Sequence, residues 1–218
     1  MRYVDRQDAG ERLADLLEGR VASGALLLAL PRGGVPVAAV IAQRLGLEVD
    51  VMLVRKLGVP GHEELAMGAI ATGGIEVLNH ELVAQLGISP AAIERVKQKE
   101  AQEIARRERA YRGSRPMPQL AGREVVLVDD GLATGATMRA AVLALRQHRP
   151  RRIVVAVPVA PPDTVQLLEE EADEVICPLT PELFLGVGNW YEDFRQVSDD
   201  EVRTLLRIVW RQGEGADD

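Results

Sequence analysis

Asp129 and Asp130 stand side by side at the end of an apolar run, and a Thr-Gly-Ala-Thr turn, made of Thr134, Gly135, Ala136 and Thr137, follows closely. The two groups ask for different chemistry. Carboxylates accept hydrogen bonds from hydroxyls and repel phosphate, whereas threonine hydroxyls and the amides of a small-residue turn donate to phosphate. A pentose 5-phosphate offers hydroxyls and phosphate within one small molecule, so this stretch reads as the anchor of a phosphorylated sugar. A plain helix cap would need only one such residue. A Walker loop is excluded because no Lys follows Gly135.

The elements around the anchor must present it. Val125, Val126, Leu127 and Val128 suit a strand buried on both faces of a parallel sheet, which sets the acids at the carboxyl edge where open α/β sheets hold ligands. Residues 138–147 carry a helical pattern whose positive end meets the turn. The design recurs earlier. A strand at 25–30 ends in Pro31, Arg32, Gly33 and Gly34, and a helix over 35–45 follows. The planar fork of Arg32 can grip two oxygens of an anion while the glycines let backbone amides approach it. Residues 51–54 read as a second buried strand with Arg55 and Lys56 at its end, leading into the Gly/Pro loop LGVPGHEE.

The remaining elements are expected to be scaffold. A helix over 8–17 turns Leu13, Leu16 and Leu17 inward against the sheet edge and carries no evident chemistry. Residues 66–71 and 75–78 flank Thr72, Gly73 and Gly74 as a hairpin. A long helix begins at Ser89-Pro90 and runs to about residue 111; on it Arg106, Arg107, Arg109 and Arg112 interleave with Glu100, Glu103 and Glu108, which reads as a solvated face. A strand at 152–157, a helix at 162–171 and a last short central strand at 174–177 complete an alternation that specifies an α/β, doubly wound, mostly parallel sheet. A closing helix over 199–211 and a disordered tail at 213–218 end a chain read as one domain, with a small hood at 176–198.

Composition narrows the classes. The chain has 218 residues, 47% of them hydrophobic, and a net charge of −7, which fits a globular domain with a sizeable core and argues against a dedicated nucleic-acid binder. No apolar stretch is long enough for a membrane span and the N-terminus lacks a signal-peptide core, so a cytoplasmic location is expected. The single Cys177 allows no internal disulfide. Of seven aromatic residues, Phe184, Trp190, Tyr191 and Phe194 lie close together. They could form a platform for a heterocyclic base, a satellite core or a dimer contact.

VVLVDDGLATGATM resembles the phosphoribosyl pyrophosphate (PRPP) signature of type I phosphoribosyltransferases. The resemblance implies that Asp129 and Asp130 hold the ribose 2- and 3-hydroxyls and that Ala133, Thr134, Gly135, Ala136 and Thr137 cradle the 5-phosphate. PRGG resembles the pyrophosphate loop of that family, which implies a cis peptide between Pro31 and Arg32 and contacts from Gly33 and Gly34. Arg55 and Lys56 resemble the start of the catalytic flap, so the implied catalytic set is Arg32, Lys56, Asp129 and Asp130. LFLGVGNWYEDFR resembles the hood of hypoxanthine-type members. It implies a base facing Phe184, Trp190 and Tyr191, a pyrophosphate contact from Arg195, and Asn189 or Glu192 where that group has a metal-associated Asp. Ala133 departs from the 6-oxopurine pattern, which has an acid there. The implied activity is Mg2+-dependent transfer of phosphoribose between pyrophosphate and a base, with Mg2+ held mainly by substrate, in a homodimer; the alternative is a PRPP-binding sensor without transfer.

Overall fold

The computed structural model describes residues 2–214. Five parallel strands form the main sheet in the order β2-β1-β6-β7-β8, with β1 Leu26–Ala29, β2 Glu48–Val51, β6 Glu124–Val128, β7 Arg152–Ala156 and β8 Glu174–Ile176. Strands β1 and β6 are buried along their whole length, as their apolar runs Leu26–Ala29 and Val125–Val128 require, with Glu124 buried at the start of β6. Alternate residues serve opposite faces. Leu27, Ala29, Val126 and Val128 pack with α1 (Arg6–Leu17), α2 (Gly34–Leu45) and α7 (Asp199–Glu214), while Leu26, Leu28, Val125 and Leu127 pack with α5 (Ala136–Gln147) and α6 (Pro162–Glu169). Each fully buried Leu or Val contributes about 1.5–3 kcal/mol, so the two-faced strands are a principal source of stability.

A second, antiparallel sheet comprises β3 (Val54–Val59), β4 (His62–Ala71) and β5 (Ile75–Leu78). Here the sequence reading needs correction. Residues 51–54 do not make one strand: the chain leaves the main sheet at Val51 and enters the second at Val54. Met52 N still donates to Ala29 O at 2.9 Å, whereas Leu53 N already donates to Thr72 Oγ1 at 2.9 Å. An uninterrupted apolar run carries no mark of such a change of sheet. Arg55 and Lys56 therefore lie within β3, and the stretch read as a loop pairs as a hairpin that turns at Gly61.

Other differences follow the same logic. Strand β8 is an edge strand, and α1 packs on α2 more than on the sheet edge. A short helix, α3 (His80–Gln85), was not expected; its signal was Asn79, whose side chain accepts from Leu82 N at 3.0 Å. Helix α7 extends through Gly213 and Glu214, into the stretch read as a tail, and 215–218 lie outside the described residues. Helix α4 (Pro90–Arg112) does carry exposed Glu/Arg pairs, yet its last residue does not belong to a solvated face. Arg112 is 8% exposed and donates to Asp50 Oδ1 at 3.0 Å and to Val51 O at 3.1 Å, fastening α4 to β2.

Candidate active site

The register Ala29↔Val128 places the ends of β1 and β6 side by side, so the two loops that follow leave the same edge of the sheet. Their contact is tight. A Cβ on Gly33 would fall 2.0 Å from Asp130 Oδ2, and one on Gly34 would fall 2.5 Å from Val128 O. The glycines are what let the PRGG loop lie against the acid pair. The Pro31–Arg32 peptide is cis, as the resemblance implied.

Each loop opens a helix. Neither Gly33 before α2 nor Gly135 before α5 supplies a side-chain cap; the Gly135 and Thr137 amides at the start of α5 remain available to an anion, whereas at α2 Gly34 N donates to Leu30 O at 3.0 Å, Val35 N donates to Arg32 O at 3.2 Å and Pro36 has no N–H. Gly135 has φ +72°, and a Cβ there would meet Thr164 Cγ2 at 2.6 Å, so any other residue would be strained and crowded. Thr164 also donates from its hydroxyl to Ala133 O at 2.6 Å, which pins the turn. Ala133, Thr134, Ala136 and Thr137 are exposed, and Asp129 and Asp130 are half-buried beside them.

Burial, followed by the neighbouring Asp130 carboxylate, raises the Asp129 carboxyl well above the usual carboxylate range. The Asp130 amide donates to Asp129 Oδ1 at 2.8 Å and opposes the shift. An acid whose pKa is higher in the folded than in the unfolded chain keeps its proton longer in the fold. Folding stability then falls as pH rises from the ordinary carboxylate range to the raised value. Asp129→Asn should remove that slope. In thermal melts its stability should match wild type near the ordinary carboxylate range and exceed it by a margin that grows as pH rises through the raised value. A pH-independent difference would show that Asp129 is not the strained group.

The flanking cations divide. Arg55 and Lys56 are adjacent in β3 and so face opposite ways. Arg55 donates to Glu100 Oε2 of α4 at 2.7 Å, whereas Lys56 is exposed and lines a cavity of about 530 Å³ together with Thr134, Ala136, Thr137 and Arg139. Arg32 is less buried than the acids it adjoins. Its guanidinium lies 3.9 Å from Asp199 and lines a smaller cavity of about 190 Å³ with Arg106, Arg107 and Tyr111, which brings part of the α4 face onto the PRGG loop. Arg195 is paired with Glu201 at 2.7 Å.

The hood aromatics range from buried Tyr191 to Phe194, which is 36% exposed. Tyr191 is 4% exposed, its ring lies 5.4 Å from Tyr3 and 4.9 Å from Phe194, and its hydroxyl donates to Asp130 O at 2.5 Å. It packs beneath the acid pair instead of offering a free face. Phe184 and Trp190 are half-buried. Arg6, whose Nε donates to Asp130 Oδ2 at 2.8 Å, was missed altogether: it lies far from the acids in sequence, and a lone Arg at a helix start gives no sign of its partner.

Comparisons with known proteins agree with this geometry. Residues 7–189 match the family described as Phosphoribosyl transferase domain. A Mycobacterium tuberculosis (strain H37Rv) protein provisionally named a phosphoribosyl transferase is 46% identical over 204 residues, which cover 94% of this chain and 46% of that protein; the chain thus spans about half the length of that relative. The crystal structure of TT1426 from Thermus thermophilus superposes with a TM-score of 0.85 at 44% identity, covering 94% of this chain and 98% of that one. A purine phosphoribosyltransferase from Pyrococcus horikoshii shares the fold at 16% identity and a TM-score of 0.50, covering 91% and 96% of the two chains. By its matched residues, its relatives and its fold, the chain belongs to the phosphoribosyl transferase domain family.

Proposed function

We propose that this chain is a Mg2+-dependent phosphoribosyltransferase that moves a 5-phosphoribosyl group between PRPP and a nitrogenous base, in nucleobase salvage. The observation that carries the reading is the pairing of β1 with β6, which brings the PRGG loop, the open start of α5 and two carboxylates to one rim. In this reading the turn at 133–137 holds the 5-phosphate, Asp129 and Asp130 accept from the ribose hydroxyls, and the PRGG loop takes the pyrophosphate through the Gly33 amide and the Arg32 side chain, with Gly34 letting the ligand approach. Lys56 adds positive charge from the side of the phosphate turn. The sugar carbon becomes cationic as pyrophosphate leaves, so rate comes from positioning and from charge placed in advance.

Arg32 joins the leaving group by giving up Asp199. An exposed pair of that kind contributes about 0–1 kcal/mol, far less than a bidentate grip on phosphate oxygens gains. Among the described residues no group of three or more His, Cys, Asp or Glu is arranged to hold a metal ion. Mg2+ bound to pyrophosphate and ribose oxygens, the ligands this ion prefers to all-protein cages, would neutralise charge on the leaving group. Residues 1–218 would act as one transferase unit with its hood at 176–198, as a cytoplasmic homodimer in line with the family resemblance. No helix among the described residues is long and apolar enough to cross a membrane.

The test is release of pyrophosphate from PRPP and Mg2+ with a panel of purine and pyrimidine bases. Turnover with at least one base is expected, at a kcat of about 1–10³ s⁻¹. Tight PRPP binding with no turnover on any acceptor would replace the transferase with a sensor.

A further inference from the structure

Asp130 is gripped from a side that neither loop supplies. Arg6, the first residue of α1, donates from Nε to Asp130 Oδ2 at 2.8 Å, and the two side chains are 11% and 14% exposed, so the pair is largely out of water. Arg6 is itself fixed. Its Nη1 donates to Arg195 O at 2.7 Å, and its guanidinium lies 4.1 Å over the Phe194 ring. The segment before it is laced to the hood: Tyr3 N donates to Trp190 O at 2.8 Å, Glu192 N to Tyr3 O at 2.8 Å, and Asp193 N to Val4 O at 2.9 Å. With Tyr191 on the Asp130 carbonyl, both the side chain and the backbone of this acid are held by the N-terminal segment and the hood.

We infer that Arg6 is a positioning residue for sugar binding: it holds one oxygen of Asp130, leaves the other to accept from a ribose hydroxyl, and ties the hood to that site. This rests on the ribose-site reading given above. Among the described residues, Asp129, Arg6 and Tyr191 face Asp130, and Arg6 is the cation bonded to it. Burial raises the Tyr191 hydroxyl far above its ordinary pKa, so it stays a donor. Without Arg6 two adjacent carboxylates face each other, and like charges at that range take up a proton at higher pH.

The experiment is calorimetric titration of Mg2+-PRPP into wild type, Arg6→Gln, Asp130→Asn and the double variant, between pH 5 and 8. Arg6→Gln should weaken binding about tenfold at neutral pH, the scale of one charge-assisted hydrogen bond, and shift the acid limb of the affinity profile upward. In the Asp130→Asn background the same change should have little further effect, because Arg6 acts through that carboxylate. Loss of mere packing on Phe194 would instead add to Asp130→Asn and leave the acid limb in place. Should Arg6→Gln fail to melt cooperatively, Arg6→Lys replaces it; it keeps the charge and loses the fork, and a several-fold loss with the same non-additivity is expected. Additive losses, or affinities and profiles unchanged from wild type, overturn the inference alone. Absence of PRPP binding by wild type removes the ribose-site reading and the inference with it.

Discussion

Changing Asp129 and Asp130 together to Asn is expected to lower PRPP affinity by at least about a hundredfold while the chain still folds. Each carboxylate would accept from a ribose hydroxyl as a charged partner, and the charge adds about 1.5 kcal/mol per bond over a neutral acceptor. Two such losses come to about 3 kcal/mol, which is the hundredfold figure. The acids lie beside exposed turn residues and are not core elements, so cooperative melting should survive. Unchanged affinity in a variant that melts normally would remove the acid pair from the site.

The second large effect is on stability. Arg112→Met should destabilise the fold by about 3–5 kcal/mol, because it strands the Asp50 carboxylate, whose side chain is 2% exposed. Burial already raises the pKa of Asp50 even with Arg112 beside it. At this chain length the loss corresponds to a fall in Tm of roughly 10 °C, a large share of an ordinary domain's margin. Arg112→Met combined with Asp50→Leu should recover most of it, since a buried pair exchanged whole for apolar groups is close to neutral. Thermal melts of the two variants decide the matter; equal Tm values for the single and double variants would mean that the charge pair is not what holds α4 to β2.

These two sites also show what a sequence discloses. The meeting of the acid pair, the turn and the PRGG loop at one edge was legible because each string directly follows an apolar strand run, and parallel pairing of those strands sets their ends together. Strands β1, β6 and β7 were legible because β-branched and aliphatic runs bounded by turn residues leave little choice. Arg112 was misread because an Arg among glutamates at helical spacing looks the same whether it faces water or a buried Asp from another strand. Arg6 and the anchoring role of Tyr191 were hidden for the same reason: their partners at Asp130 are brought to them only by the closed fold. The break between β2 and β3 went unseen because both sheets bury apolar residues, and periodicity does not say which sheet receives them.

What matters most is whether the rim formed by β1 and β6 holds one PRPP molecule end to end. A crystal structure of the chain with Mg2+ and PRPP tests this most directly. The 5-phosphate should lie on the amides of residues 133–137, the ribose hydroxyls on Asp129 and Asp130, and the pyrophosphate on the loop of Arg32, Gly33 and Gly34. PRPP bound elsewhere, or lying across the rim with its ribose away from both acids, would contradict it.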